Sequence, residues 1–159
     1  MKFVSTLFLL LTLPLASILV GAESQKQMVG ATAVVFVTDA NLRFKARVDT
    51  GAKTSSIHAE KIEVDSPGDP QGKRISFHLV TKEGLSRKVV TRVISVTTVR
   101  TSEKSERRYV VPLLIKFNGS ERIIPVTLND RRSMNYRLLL GRNWLHGHYI
   151  VDVEKNAED

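Results

Sequence analysis

Asp49 is the residue of this 159-residue sequence whose surroundings best suit acid–base chemistry. It lies in the segment ARVDTGAKTSS (46–56), directly after an alternating apolar and basic run that predicts a half-buried strand over 42–48. A hydroxyl and two small residues then end the strand pattern. A carboxylate held at a strand tip can act as general acid or base when a second carboxylate lies opposite it. A turn in which the Asp accepts bonds from its own backbone is the alternative interpretation.

A second motif follows about ninety residues later, in the segment RLLLGRNWL (137–145). A hydrophobic run leads there into Gly141, then a polar pair, then Trp144 and Leu145. An Asp-Thr-Gly triplet alone is a weak signal, because short polar loops contain such triplets by chance. The two motifs in this order form a more specific pattern than either one.

Together the two motifs resemble the retropepsin-like aspartic proteases. In that family a strand leads into Asp-Thr-Gly-Ala, and a late hydrophobic pair precedes Gly-Arg-Asn and a short helix. The resemblance runs from about Gly30 to Val153 and is closest to a bacterial branch labelled as ATP-dependent zinc proteases, some of which accompany glutamate-ligase genes. The matching stretches are KARVDTGAKTSSIHA, RRYVV and VTLNDRRSMNYRLLLGRNWL.

The resemblance implies an aspartic-type endopeptidase, in which two carboxylates share one proton and activate the water that attacks the peptide bond. Asp49 would supply one carboxylate. Four residues would support its loop: Thr50, Gly51, Ala52 and Thr54. Three residues of the second motif would pass beneath that loop: Leu140, Gly141 and Arg142. Thr50 would bond to the opposite loop, and Arg142 would donate hydrogen bonds to this one.

The second carboxylate is expected from another copy of the chain, because the sequence holds one Asp-Thr-Gly and no internal repeat. Four other aspartates stand in no second such setting: Asp39, Asp65, Asp69 and Asp130. We therefore expect a homodimer with the site at its two-fold interface, with strand 31–37 or 149–153 pairing across the axis. A non-catalytic peptide-binding module on the same fold and a metal-dependent peptidase are the alternatives.

The zinc and ATP of the family label have no motif in this sequence, which lacks both His-Glu-x-x-His and a glycine-rich phosphate loop. We expect no cofactor. His146 and His148 would lie on one side of a strand and are the candidates for a metal. Surface or packed histidines are the favoured interpretation, because no third ligand is apparent. His58, just past the Asp loop, is expected to pack near the site.

The composition indicates one globular domain that attracts anionic partners. Hydrophobic residues make up 42% and charged residues 25%, cysteine is absent, and the formal net charge is +8. Basic residues cluster in two regions: Arg100, Lys104, Arg107 and Arg108, and then Arg131, Arg132, Arg137 and Arg142. Nucleic acid is not expected, because aromatic residues make up only 6% and no nucleic-acid motif is present. Solvated strand ends are the favoured interpretation of these clusters, and attraction of an acidic substrate is the alternative. A peptide or protein is the expected substrate, and an acidic peptide is the first to test.

Short strands are the elements that must position these residues. Seven strands are predicted, over 31–37, 42–48, 74–80, 86–96, 107–117, 121–128 and 149–153. A short helical turn is predicted over 141–147, and Asn118-Gly119 is the clearest hairpin signal. The chain is therefore predicted to be all-β, in a small closed barrel. The candidates for a substrate-covering flap are TKEG (81–84) and SPGDPQG (66–72), and neither is the glycine-rich tip usual in retropepsins.

The N-terminal segment 1–22 has the three parts of a secretory signal peptide. A basic start at Lys2 precedes an apolar run over 3–20 and a small-residue cleavage site, VGA. An uncleaved membrane anchor is the alternative, since the run approaches the length that spans a bilayer. We expect a protease domain over 28–154, a frayed tail over 155–159, and a periplasmic or secreted location.

Overall fold

The computed structural model describes residues 25–65, 67–100 and 105–155. Within these residues the elements are β1 (Gln27–Val29), β2 (Thr32–Val37), β3 (Leu42–Val48), β4 (Ser55–Val64), β5 (Arg74–Val80), β6 (Ser86–Arg92), β7 (Ser95–Arg100), β8 (Ser105–Phe117), β9 (Ser120–Asn129), β10 (Leu138–Leu140), α1 (Arg142–Leu145) and β11 (Tyr149–Val151). The predicted signal peptide and residues 156–159 of the predicted tail lie outside the described residues.

Six strands form a ring in the order β10, β3, β2, β8, β9 and β4, and β4 pairs back to β10. The link between β2 and β8 covers only two residue pairs, so the ring is partly closed. Beyond it, β5 and β6 continue from β4, and β7 pairs with β8. The all-β barrel prediction is confirmed, with one short helical turn near the C-terminus.

The core lies inside this ring, and β3 shows how the sequence builds it. Leu42, Phe44, Ala46 and Val48 are buried, and the residues between them are exposed. Successive strand side chains point to opposite faces, and fully burying one Leu or Phe contributes about 2 kcal/mol. A one-residue slip of the strand would lose this burial, so the alternation fixes where β3 ends and where Asp49 begins.

The predicted hairpins are confirmed by their turn geometry. Asn118 and Gly119 both have positive φ, 46° and 79°, which is the requirement of the two-residue turn that joins β8 to β9. Asn41 ends a single 3-10 turn between β2 and β3 in the left-handed region, at φ 53°. Asn tolerates this region better than other side chains, because its short polar group bonds locally.

The predicted strand over 86–96 is wrong, because the chain changes partners at Val93. Its first part, β6, pairs with β5 up to Arg92. The N–H of Val93 then donates to Lys73, and the N–H of Ile94 donates to Val110 in β8. From Ser95 onward the chain pairs with β8 as a separate strand.

Three strands were not predicted: β1, β4 and β10. The first five residues of β4 are all buried, because this strand pairs with β9, β10 and β5. Burial on both faces removes the polar alternation that would mark a strand in the sequence. Lys61, at φ 50°, lies where the register with β5 shifts, which interrupts the pattern further.

The helical turn and the last strand near the C-terminus are both shorter than predicted. The helical turn covers only Arg142–Leu145, and β11 ends at Val151, paired in parallel with β1. Lys155, where the predicted tail begins, still accepts a backbone hydrogen bond from Ala31 at 3.0 Å. The described residues include no helix that is long and apolar enough to cross a membrane.

Candidate active site

Asp49 directly follows β3, and its loop is held by its own carboxylate. The N–H of Asp49 donates to the carbonyl of Leu140 in β10 at 2.9 Å. Its Oδ1 atom accepts from the N–H groups of Gly51 at 2.9 Å and Ala52 at 3.1 Å. These bonds fix the rotation of the carboxylate at the strand tip. The local turn considered above is therefore present, and it also holds the acid rigidly.

Gly141 is the position where β10 and the Asp49 loop come closest. A Cβ atom placed there would lie 2.8 Å from the carbonyl oxygen of Ala52 and 2.9 Å from the carbonyl carbon of Thr54. Only glycine allows backbones to approach this closely. The N–H of Gly141 also donates to Ser55 Oγ at 3.0 Å. The segment after β10 therefore lies directly against the loop.

Arg142 holds the other side of the same loop. Its Nη1 atom donates to the carbonyl oxygens of Thr50 at 3.0 Å and Gly51 at 2.7 Å. Its backbone N–H donates to Ala52 at 2.8 Å. Thr50 and Gly51 are exposed at the tip of the loop, and Leu140 is fully buried behind it. The structure thus brings the two sequence motifs together, and the catalytic role of Asp49 stays a prediction.

Asn143 is a positioning residue that the sequence reasoning missed. Its Oδ1 atom accepts from both the N–H and the Oγ of Ser55, at 2.9 and 2.8 Å. Its Nδ2 atom donates to the carbonyl of Pro125 at 2.7 Å. One side chain thereby links the end of the Asp49 loop to β9. The available sequence signal was the position of Asn143 next to Arg142 in the motif, because the buried backbone groups of a turn need hydrogen-bond partners.

Asn143→Ala is expected to lower the free energy of unfolding by about 2 kcal/mol. The substitution leaves the N–H of Ser55 without its acceptor, and unsatisfied buried polar groups carry costs of this size. Chemical denaturation of both proteins measures it. Asn135→Ala, at an exposed position, is the matched control and is expected to change stability by less than about 0.5 kcal/mol. Equal effects of the two substitutions would contradict the role of Asn143.

The charge of Arg131 interacts with that of Asp49. Burial and the charge of Arg108 lower the pKa of the Arg131 guanidinium, and the carboxylate of Asp49 acts to raise it. Its Nε atom donates to the carbonyl of Tyr136 at 3.1 Å. Arg137 in turn donates to the carbonyl of Arg131 at 2.6 Å. A guanidinium keeps its proton, so a fixed, partly buried cation acts electrostatically on the acid. The sequence showed the basic cluster but not this interaction with Asp49.

Other members of the basic clusters bind acidic side chains within the chain. Arg108 pairs with Glu106 at 2.9 Å, and Arg132 pairs with Asp130 at 2.7 Å. The side chain of Arg132 strongly lowers the pKa of Asp130 through its hydrogen bonds. These pairs reduce the free positive charge that a nucleic acid would meet.

His146 and His148 do not lie on one side of a strand, so that prediction is wrong. Both are exposed, on either side of Gly147 in the turn between α1 and β11. Slight burial lowers the pKa of His148, and the charges of Arg122 and His146 lower it further. No group of three or more potential ligands for a metal ion occurs among the described residues. His58 is fully buried in β4.

TKEG, the first predicted flap candidate, closes the β5–β6 hairpin away from Asp49. Thr81–Glu83 lines a cavity of about 320 Å³ together with Arg43–Lys45 and Asn135–Arg137. At about 3.3 Å per residue, that part of β3 lies roughly 13–20 Å along the strand from Asp49. The second candidate loop borders the β7–β8 hairpin, because Pro67, Gly68 and Pro70 line a cavity with Arg107–Tyr109.

Part of the β7–β8 hairpin extends beyond the ring of strands. Among the described strands, Ser105–Tyr109 pairs only with β7, because β8 joins β9 from Val110 onward. Arg108 lies in this projecting stem, close enough to Arg131 for its charge to lower the pKa of Arg131. Residues 101–104, which connect the two strands, lie outside the described chain.

A family model matches most of the chain. Residues 28–158 match the RimB-like family, described as retropepsin-like aspartic endopeptidase RimB. A solved structure, the protein Lpg0085 of unknown function from Legionella pneumophila, is 30% identical with a TM-score of 0.68. The match covers 82% of this chain and 96% of Lpg0085.

Two curated relatives are each named probable alpha-L-glutamate ligase. The protein from Shewanella pealeana is 40% identical over 118 residues, which are 70% of this chain and 25% of that protein. The protein from Desulfotalea psychrophila is 35% identical over 113 residues, which are 68% of this chain and 24% of that protein. The chain thus spans about a quarter of the length of these relatives. From its family match over residues 28–158, the chain belongs to the RimB-like family of retropepsin-like aspartic endopeptidases.

Proposed function

We propose that this protein is an aspartic endopeptidase whose active site is shared by two copies of the chain. The observation that carries the proposal is the Asp49 loop, in which Oδ1 accepts two backbone N–H groups while Arg142 holds the carbonyls of Thr50 and Gly51. Such a rigid, partly exposed carboxylate is suited to share a proton with an identical one across a two-fold axis.

The other described aspartates support the need for a second copy, because they are engaged elsewhere; Asp152, for example, accepts from the N–H of Glu154. Asp39 accepts from the N–H of Leu114, and Asp69 accepts from that of Gln71. Asp130 is paired with Arg132, and Asp65 lies 3.9 Å from Arg74. We find none of them beside Asp49 in the described parts of the chain. A second acid from an identical chain completes the pair.

The β1–β11 sheet is the surface we assign to the dimer interface. Its exposed apolar side chains include Met28, 55% exposed, and Ile150, 57% exposed, with Val153 just beyond it at 74%. A cavity of about 470 Å³ opens beside it, lined by residues of this sheet together with Thr50 and Arg142. Burial of these groups against an identical sheet would bring two Asp49 loops together.

Catalysis would use the two Asp49 carboxylates as one titrating unit. Because two carboxylates about 3 Å apart cannot both be ionised, one is protonated and the other is a base. The base takes a proton from the water that attacks the peptide carbonyl, and the acid protonates the carbonyl oxygen. The leaving amine later receives its proton from the same pair. We therefore expect the best activity at mildly acidic pH.

The substrate we propose is an acidic peptide or protein segment. The guanidinium of Arg131 is partly buried, and its charge interacts with that of Asp49. A substrate that passes over the Asp49 loop would place a carboxylate near Arg131. Charge-assisted bonds of arginine to carboxylates are the strong ones, particularly where the cation is partly buried.

Arg131→Gln is expected to raise KM for acidic peptides about tenfold, because one charge-assisted contact with substrate is lost. KM for a neutral peptide of equal length is expected to stay unchanged. Steady-state kinetics at two salt concentrations measure both values. Arg132→Gln removes a cation that already pairs with Asp130 and serves as the matched control. An equal loss for acidic and neutral peptides would contradict this role of Arg131.

The function itself is tested with residues 23–159 and a mixed peptide library, with and without a pepstatin-type inhibitor or EDTA. We expect cleavage that EDTA leaves intact. Cleavage that EDTA blocks and Asp49→Asn leaves untouched would instead show the metal-dependent peptidase. Peptide binding without cleavage at any pH would show the non-catalytic module. Neither zinc nor ATP is expected to be required.

We also propose that segment 1–22 directs the protein to the periplasm or outside the cell. The basic start, apolar run and small-residue site of this segment support the proposal. Cell fractionation with N-terminal sequencing of the exported chain tests it. A cytoplasmic protein that still begins with Met1 would contradict the proposal. An uncleaved chain found in the membrane would show the anchor alternative.

A further inference from the structure

His58 is a fully buried polar residue, 1% exposed, that the proposed catalytic mechanism does not use. It lies in β4, the strand that follows the Asp49 loop. Its backbone N–H donates to the carbonyl of Arg137 at 2.7 Å, and it is paired in register with Asn129, the last residue of β9. The ring therefore sits where β4, β9 and the segment before β10 meet.

The two ring nitrogens of His58 have different partners, and these define its protonation. Nδ1 accepts from the backbone N–H of Arg131 at 3.0 Å. Nε2 lies 3.1 Å from the Glu60 carboxylate, which can only accept when ionised. The ring is therefore neutral, with its proton on Nε2. The Asp130 carboxylate lies 3.7 Å from Nδ1, too far for a hydrogen bond.

We propose that His58 is a positioning residue, whose Nδ1 atom holds the Asp130–Arg131 backbone and thereby fixes the Arg131 side chain. β9 ends one residue before this turn, so the strand ladder no longer holds the chain there. The bond from His58 replaces the missing ladder bond. It links Arg131 to β4, the strand that follows the Asp49 loop.

The side-chain bonds of Arg131 support this arrangement. Its Nε atom binds the carbonyl of Tyr136, and its own carbonyl accepts from Arg137. With the backbone N–H bound to His58, the residue is fixed at three points. A packing role alone would need the volume of the ring but not an acceptor at Nδ1. The need for an acceptor at the Nδ1 position therefore distinguishes positioning of Arg131 from packing alone.

Two substitutions of His58 separate the ring nitrogens. His58→Asn places an amide oxygen close to the Nδ1 position, and His58→Gln places its amide close to the Nε2 position. We expect the hydrogen of the Arg131 backbone amide to exchange with solvent about five to ten times faster in His58→Gln, because one net hydrogen bond is lost. In His58→Asn we expect exchange within about twofold of the unaltered protein. His78→Gln, on the neighbouring strand, is the control and is expected to leave Arg131 unchanged.

A second measurement needs no substitution. Nitrogen-15 spectra of the unaltered protein are expected to show the His58 proton on Nε2, with a coupling from Nδ1 to the Arg131 amide. A proton on Nδ1, or equal exchange of the Arg131 amide in His58→Asn and His58→Gln, overturns the proposal. These spectra decide it even if either variant fails to fold.

The kinetic consequence rests on the proposed peptidase function. In His58→Gln, KM for acidic peptides is expected to rise towards its value in Arg131→Gln, with kcat within about threefold. Combining the two substitutions should add nothing, because both act through the same guanidinium. If the protein has no peptidase activity, the proposed function is wrong. The spectra would still decide whether His58 holds Arg131.

Discussion

Asp49→Asn is expected to reduce peptide hydrolysis at least about a thousandfold, the scale of a lost general acid or base. The amide cannot share a proton with the opposite carboxylate, so the water is no longer activated. Its Oδ1 atom can still accept from the N–H groups of Gly51 and Ala52, and the loop should therefore keep its shape. Initial rates on a cleaved peptide, measured across pH 3 to 8, give the loss.

Asp69→Asn is the matched control, because Asp69 also accepts a backbone N–H in a surface loop. Its activity is expected to be unchanged. Thermal unfolding of both variants should stay within about 3 °C of the unaltered protein, since neither loses a buried contact. A folded Asp49→Asn protein with full activity would show that another group supplies the acid.

Activity per chain is expected to fall on dilution, because a dimer that dissociates separates its two Asp49 residues. Mixing unaltered chains with Asp49→Asn chains tests the shared site more directly. With a ninefold excess of Asp49→Asn chains and free exchange, about a tenth of the unaltered chains find an identical partner. Activity should then fall to about a tenth, because a mixed dimer holds one catalytic acid. Sedimentation over the same concentrations measures the dimer directly.

Asp69→Asn chains in the same ninefold excess are expected to leave activity per chain unchanged, so that total activity rises about tenfold, since both acids at Asp49 survive. Subunit exchange is verified by tagging one population of chains. A monomer with full activity per chain would contradict the shared site. So would activity that Asp49→Asn chains do not lower once exchange is complete.

The Asp49 loop was predictable because local rules mark its position in the sequence. The alternation of β3 fixes the strand end, and the small residues after Asp49 permit the turn. The resemblance then placed Arg142 below the loop, where its guanidinium donates to Thr50 and Gly51. These positions depend on neighbouring residues or on a motif, and both can be read from a single sequence.

The closure of the ring was not predictable in the same way. β4 is buried on both faces at its start, so its sequence carries no period of two. The backbone of Arg131 is held by His58, and the side chain of Asn143 bonds to Ser55 and Pro125. Each of these contacts joins residues far apart in the chain, and no local pattern encodes such pairs.

The dependence of the Asp49 loop on β10 and α1 sets the order in which the protein acquires its chemistry. The loop is complete only when Leu140, Arg142 and Asn143 have been synthesised and have docked, with Ser55 and Asn143 separated by 88 positions. Contacts of such long range form late in folding. A chain still emerging from the ribosome therefore carries Asp49 without its support. The proposed hydrolysis would be withheld from the nascent protein and would begin only with its last strands.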